Sequence, residues 1–257
     1  MATICITGST DGIGLAAARV LLGAEHRVLV HARTAERGQP VVADLDGDVA
    51  LVTGDLSSLT STRALAGQLR EHGPLDVLVH NAGVWLRDGG PSVTADGFET
   101  TFAVNVLAPH LLTSLLADLL TDRLLWLGSG LAASGRPKPT ALGASREPRQ
   151  AYADSKACDV ALAIGWGRRL PGITSAAVDP GWVKSKLAGP GAPGSTEQGA
   201  DTVAWCCTTG QLATASYWKD RAPAQVPGRL RDAGLQDALL EQCDRLAGLA
   251  DPGRLTR

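Results

Sequence analysis

The chain has no Cys-x-x-Cys pair, no run of like charge, no internal repeat and no long apolar stretch. Each absence removes a class of protein. Five cysteines, Cys5, Cys158, Cys206, Cys207 and Cys243, are odd in number and scattered, which argues against a disulfide framework and a zinc site. They read as small buried hydrophobes. The five histidines are dispersed as well, with no ligand partner at metal spacing, and no metal is expected. Basic residues number 24 against 26 acidic ones, for a formal charge of -2. That balance advertises no polyanion site, so no nucleic-acid partner is expected. The start, Met1-Ala2-Thr3-Ile4-Cys5-Ile6, lacks a basic leader and a sustained apolar segment, which predicts neither a signal peptide nor a membrane anchor and a cytoplasmic location.

What the chain does have is alternation. With 44% hydrophobic residues in 257, it can bury a full core. Short apolar runs at 3–6, 27–31, 50–52, 75–80, 123–127 and 174–178 read as strands, and 13–22, 61–71, 98–120 and 152–169 carry helical spacing. Strands covered on both faces are continuously apolar rather than alternating, as Val77-Leu78-Val79 and Leu124-Leu125-Trp126-Leu127 are. Repeated strand-helix units predict an α/β fold, a single Rossmann-type doubly wound parallel sheet with helices on both faces, in one domain spanning 1–257. A tail helix over 235–249 is expected to pack onto it. Asp96-Gly97-Phe98-Glu99 predicts a helix start, with Asp96 as cap and Glu99 closing a capping box. Two segments rich in Gly, Pro, Ser and Ala, 130–150 and 189–199, read as long loops. In an open α/β sheet they would lie beyond the carboxyl ends of the strands, where ligands bind. They are expected to wall a substrate pocket, the second being the more mobile.

Thr7-Gly8-Ser9-Thr10-Asp11-Gly12-Ile13-Gly14 follows the first strand and opens a helix. Gly8 and Gly12 permit a tight turn close to a pyrophosphate, Gly14 permits close helix packing, and the helix start offers free N–H groups to the anion. A dinucleotide site is predicted. The second strand ends in His31-Ala32-Arg33, where an NAD-selective site would place an acid for the ribose hydroxyl; Arg33 suits a 2′-phosphate instead. Asp11 within the turn is a counter-signal. Downstream, Tyr152 and Lys156 stand four apart, a spacing that puts phenol and ammonium on one helix face.

In that chain order, with Asn81-Ala82-Gly83 and Ser129 between, the segments resemble a short-chain dehydrogenase/reductase over roughly residues 3–205. The pattern from Thr94 through Asn105 to Thr113 is most similar to the retinol dehydrogenase-like subgroup. The resemblance implies a catalytic set of Ser129, Tyr152, Lys156 and Asn105. It implies cofactor contacts from Thr7, Gly8, Ser9, Gly12, Ile13 and Gly14, from Asp55 and Leu56, from Asn81, Ala82 and Gly83, from Tyr152 and Lys156, and from Pro180, Gly181, Val183 and Ser185. Ser185 stands where relatives often have threonine, Leu127-Gly128-Ser129-Gly130 has one serine where relatives commonly have two, and the span from Ser129 to Tyr152 is longer than usual. Members often pair through the helices beginning near Phe98 and Tyr152, giving a homodimer or homotetramer, while monomers exist too.

A free tyrosine, titrating near pH 10, is a poor base at neutrality; Lys156 and an oxidised nicotinamide beside it would favour the phenolate. Tyr152 is therefore assigned as general acid in carbonyl reduction and base in the reverse, and Ser129 as the group that bonds the substrate oxygen. The expected activity is NADPH-dependent reduction of a hydrophobic ketone or aldehyde, with a secondary metabolite as one substrate class and NADP(H) as cofactor. Trp85, Leu131, Leu142, Trp182 and Leu187 are candidates to line the pocket. The competing readings are a catalytically silent NADP-binding regulator and a non-redox lyase or epimerase.

Overall fold

The apolar runs come together because each can bury both of its faces in the middle of one sheet. The computed structural model describes residues 1–87, 92–187 and 191–249. Its strands are β1 (Thr3–Ile6), β2 (Arg27–Ala32), β3 (Val49–Thr53), β4 (Leu75–His80), β5 (Leu120–Leu127), β6 (Thr174–Asp179), β7 (Ser216–Lys219) and β8 (Ala222–Pro223). They form one sheet in the order β3-β2-β1-β4-β5-β6-β7-β8, parallel except for the last pair. The winding reverses between β1 and β4, so a crevice opens at the carboxyl ends of those two strands.

Helices cover both faces: α1 (Gly12–Gly23), α2 (Ala35–Ala43), α3 (Leu59–Glu71), α4 (Thr100–Phe102), α5 (Ala108–Leu116), α6 (Pro148–Arg169), α7 (Thr196–Thr208) and α8 (Ala233–Leu246). Alternate side chains of one strand serve opposite cores. Ile4 and Ile6 pack with Ala17, Leu21 and Val203, whereas Cys5 belongs with Leu29, Leu78, Trp126 and residues of α3, α5, α6 and α8. Burying each such large side chain contributes about 1.5–3 kcal/mol. All five cysteines are free and buried, as their scatter predicted. Among the described residues, no helix is long and apolar enough to cross a membrane.

Several boundaries differ from the sequence reading. The helix predicted over 98–120 starts at Thr100, widens into a π turn over Ala103–Leu107 and stops at Leu116, and β5 begins at Leu120. The leucines on either side of that border satisfy either period, so periodicity does not locate it. The Asp96–Glu99 capping box does not form. Glu99 alone caps α4, accepting from the Thr101 and Phe102 N–H groups, while Asp96 accepts from Leu59 N–H at the start of α3. Segment 130–150 contains two 3₁₀ turns (Gly130–Ala133, Pro139–Ala141) and the first residues of α6. Of segment 189–199, Gly189 and Pro190 lie outside the described residues. From Thr196 the segment is helix, started by a capping box between Ser195 and Gln198. The edge strands β7 and β8 are too short to show a period in the sequence.

α8 lies across α5 and α6, the helices through which the resemblance implied pairing. Its Leu239, Leu240 and Cys243 are fully buried. Asp244 accepts from His110 Nε2 on α5 at 2.7 Å and from Arg169 Nη1 at the end of α6 at 2.9 Å.

Candidate active site

The crevice is floored by two turns pressed together. Gly8 (φ 64°) and Gly12 (φ 56°) adopt left-handed backbone, which L side chains rarely tolerate. A Cβ on Gly8 would lie 2.9 Å from Ala82 Cα, so the glycine turn touches the Asn81-Ala82-Gly83 turn after β4. Thr7 Oγ1 accepts from the N–H groups of Asn81 and Ala82, both at 3.0 Å, and Asn81 Nδ2 donates to the Thr7 and Gly8 carbonyls. Ser9 Oγ donates to Ile6 O and accepts from His31 N–H. Thr7 and Ser9 are buried and brace the turn from behind, whereas Gly8, Gly12, Ile13 and Gly14 line the cleft.

His31 went unassigned in the sequence. Its Nδ1 accepts from Gly8 N–H at 2.8 Å and its Nε2 donates to Gly54 O at 2.9 Å. That pattern requires a neutral ring, and burial holds its pKa below the usual histidine range. Arg33, with 58% of its side chain exposed, stands at the rim 4.0 Å from Asp55, and Arg37 supplies a second guanidinium at the same end. Open space in front of Gly12, the free N–H groups of a helix start and two arginines fit a dinucleotide with a 2′-phosphate. Asp55, Leu56, Asn81, Ala82 and Gly83 continue the lining. Asp11 caps α1 and pairs with Lys186, which crosses from the segment after β6; lysine thus offsets the acid that counted against a phosphate.

At the other end of the cleft, Glu147 caps α6, and the helix carries Tyr152 and Lys156 on one face. Lys156 Nζ donates to Leu127 O at 2.8 Å and to Asp159 Oδ2 at 2.9 Å. Ser129 follows β5, its Oγ accepts from Leu131 N–H, and it lies near enough to Tyr152 to favour the phenolate. Burial raises the Tyr152 phenol above its ordinary pKa; Lys156 and Ser129 oppose this, while Asp159 and Asp179 add to it. For Lys156 burial works downward, but the Asp159 carboxylate and Tyr152 outweigh it and the pKa is raised.

Asn105 sits in the π turn, a local widening common at functional sites. Its Oδ1 accepts from Val84 N–H, and its Nδ2 donates to Val84 O and Ser155 Oγ. A Cβ on Gly83 would lie 3.5 Å from Asn105 Oδ1 and 3.7 Å from Lys156 Nζ, so the three come together around that glycine. Ser129, Tyr152 and Lys156 thus share one cleft of about 1050 Å³ with the glycine turn, and Asn105 stands directly behind it.

The family model described as short chain dehydrogenase matches residues 2–192. The chain belongs to the short-chain dehydrogenase family. It is 35% identical to an uncharacterised oxidoreductase of Emericella nidulans, covering 98% of this chain and all of that one. It is 34% identical to a candidate daunorubicin C-13 ketoreductase of Streptomyces, over 93% of this chain and 90% of the relative. Among solved structures, an uncharacterised protein from Mycobacterium Paratuberculosis superposes with a TM-score of 0.86 at 27% identity, covering 96% and 94% of the two chains. A short chain dehydrogenase from Burkholderia cenocepacia in complex with NADP superposes with 0.69 at 25% identity, covering 85% and 97%.

In this short-chain dehydrogenase the pocket beside Tyr152 is lined by Trp85, Leu131, Trp182 and Leu187. Leu142 is not part of it and borders a separate cavity of about 440 Å³ beneath the 3₁₀ turns. Trp85 lies flat on Tyr152, with ring centroids 4.7 Å apart and planes within 9°, and the Arg87 guanidinium covers it at 3.9 Å. Trp182 is 62% exposed. Pro180, Gly181, Val183 and Ser185 line the cleft, and so do Arg87, Arg149, Asp179 and Lys219, which no motif marked. From the two long segments the wall takes Gly130, Leu131 and Arg149 of the first. The described part of the second does not reach it, and Gly194 is tied back to Trp182 and Lys184 by backbone hydrogen bonds.

Proposed function

We propose that this enzyme reduces a hydrophobic ketone or aldehyde with NADPH. The observation that carries the reading is the convergence of Ser129, Tyr152 and Lys156 on one end of a cleft whose other end holds the glycine turn with Arg33 and Arg37. Bound NADPH supplies the hydride. Tyr152 Oη donates the proton to the carbonyl oxygen, and its raised pKa keeps it in the acid form through neutral pH. The Ser129 hydroxyl bonds the same oxygen, where negative charge develops. Lys156 has three N–H donors, of which Leu127 and Asp159 take two, leaving one for the cofactor ribose. Asn105, fixed by three hydrogen bonds, holds the water through which the proton lost by Tyr152 is replaced.

NADPH rather than NADH is favoured by the paired guanidiniums and supported by the NADP complex of a structural neighbour. An apolar substrate is favoured by Leu131, Trp182 and Leu187 in the wall of the cleft, and carbonyl reduction is in keeping with the ketoreductase name of one relative. Purified enzyme and NADPH, offered aromatic polyketide, steroid, retinoid and small aliphatic carbonyl compounds, test the reading. Turnover is expected with the larger apolar members and little with the small aliphatic ones. NADPH binding without turnover across the panel would instead favour a silent regulator.

A further inference from the structure

Asp159 stands one helical turn beyond Lys156 and is the feature of the site that the proton transfer just described does not use. It is 2% exposed, and its Oδ2 lies 2.9 Å from Lys156 Nζ. Its other oxygen, Oδ1, is buried with no hydrogen-bond partner, and among the described residues Lys156 is its only ion-pair partner. A carboxylate so placed adds little to stability, because its desolvation offsets the Coulomb attraction. Its consequence for the active site is larger.

An isolated ammonium beside Tyr152 would favour the phenolate. A lysine paired at contact with a carboxylate acts on the phenol as a dipole, whose field falls off faster than that of a charge. The pair also pins the ammonium, because Nζ is held between Asp159 and Leu127 O, with its centre 5.8 Å from the Tyr152 ring centroid. The other groups facing the phenol do not reverse this. Asp179, at the end of β6, disfavours a second anion, and Lys219 at 4.0 Å from its carboxylate moderates that effect. Ser129 is uncharged, and Tyr217 from β7 is itself pushed far up by burial. On the far side of Asp159, Cys158 and Cys243 are buried thiols shifted upward, so they stay neutral.

Resting on the carbonyl-reductase reading, we propose that Asp159 is a positioning residue that neutralises and anchors Lys156, and thereby reserves Tyr152 as a proton donor over the whole neutral and mildly alkaline range. The equilibrium of the reaction is untouched. What Asp159 sets is the pH at which the reduction rate falls away and the rate of alcohol oxidation rises. Below neutrality the device weakens, because burial pushes the Asp159 carboxyl up to about 6 despite Lys156; as it takes a proton there, the charge of Lys156 is no longer masked.

The chain has only two tyrosines, Tyr152 and Tyr217, so a direct test needs no substrate. Ultraviolet difference titration of the full-length protein against Tyr152→Phe isolates the Tyr152 phenolate. In the wild type its midpoint is expected above the ordinary phenol value of about 10. In Asp159→Asn it is expected to fall by about one pH unit or more, since a nearby charge has been removed. The alkaline limb of kcat/KM for NADPH-dependent reduction should move by the same amount. A residue that merely supports the helix would lower turnover without moving either midpoint. An unchanged midpoint in Asp159→Asn overturns the proposal. Should that variant fail to fold, the smaller neutral Asp159→Ser takes its place and is read by the same two outcomes, and a wild-type phenolate forming below the ordinary value overturns the proposal in either case. The titration reads Tyr152 whether or not any carbonyl is turned over, so this proposal and the functional reading fail separately.

Discussion

Tyr152 is the residue on which the chemistry is expected to turn, because it alone combines a transferable proton with contact to Ser129 and proximity to Lys156. Tyr152→Phe keeps the ring stacked on Trp85 and removes the proton. NADPH affinity should persist while turnover collapses, by about 100-fold or more for a lost general acid; near-normal turnover would sink the assignment. Arg33 acts by charge. A charge-assisted hydrogen bond is worth roughly 1.5–3 kcal/mol, and the exposure of Arg33 argues for the lower end. Arg33→Ala should cut the NADPH-over-NADH ratio of kcat/KM by about 10-fold, and adding Arg37→Ala should remove most of the remainder. If the wild type prefers NADH, both arginines are surface residues only.

Elements are held in place by partners distant in the chain, and α3 is the clearest case. Its first N–H is capped by Asp96, 37 positions downstream, while Ser58 caps locally through Ser61 N–H. Removing a cap costs about 1 kcal/mol. Asp96→Ala should lower stability to denaturant by about that amount, with kcat little changed because α3 does not line the cleft. A collapse of activity would mean that Asp96 also holds the chain before α4 in position. The π turn makes a complementary point, since it widens the helix at Asn105 and lets that side chain take both backbone groups of Val84 and the Ser155 hydroxyl at once.

For the molecule as a whole, the His110–Asp244–Arg169 network fastens α8 over α5 and α6. Burial holds His110 below the ordinary histidine pKa, so at neutral pH it is an uncharged donor and Arg169 is the charge partner. Burial of Asp244 works upward, but the hydrogen bonds and charges of His110 and Arg169 win and its pKa is lowered. For both groups the folded pKa lies below the unfolded one. Their stabilisation is therefore complete above about 6.5, the ordinary histidine value, and drains away as pH falls. Asp244→Asn leaves Arg169 without its anion and should cost about 3 kcal/mol at neutral pH. The gap between variant and wild type should narrow on acidification. Equal destabilisation at every pH would show that the loss is one of packing alone.

The strand set β1 to β6, the parallel α/β class, the glycine turn and the order of Ser129, Tyr152 and Lys156 were legible in the sequence. Each rests on local spacing: a continuous apolar run, two glycines at a turn, or two side chains one helical turn apart. Tertiary structure decided the matters that depend on distant neighbours. Asp96 offered the same capping signal whichever helix it served, and only the approach of α3 assigned it to Leu59. Leu142 was as apolar as Leu131, yet the 3₁₀ turns direct it to a different cavity. His31 carried no motif until the glycine turn folded onto it. Asp159 looked like an ordinary helix acid until burial left it, among the described residues, with Lys156 as its one counter-charge. Periodicity and turn chemistry are properties of a few consecutive residues, whereas burial, and with it the ionisation of a buried group, belongs to whatever the fold brings alongside.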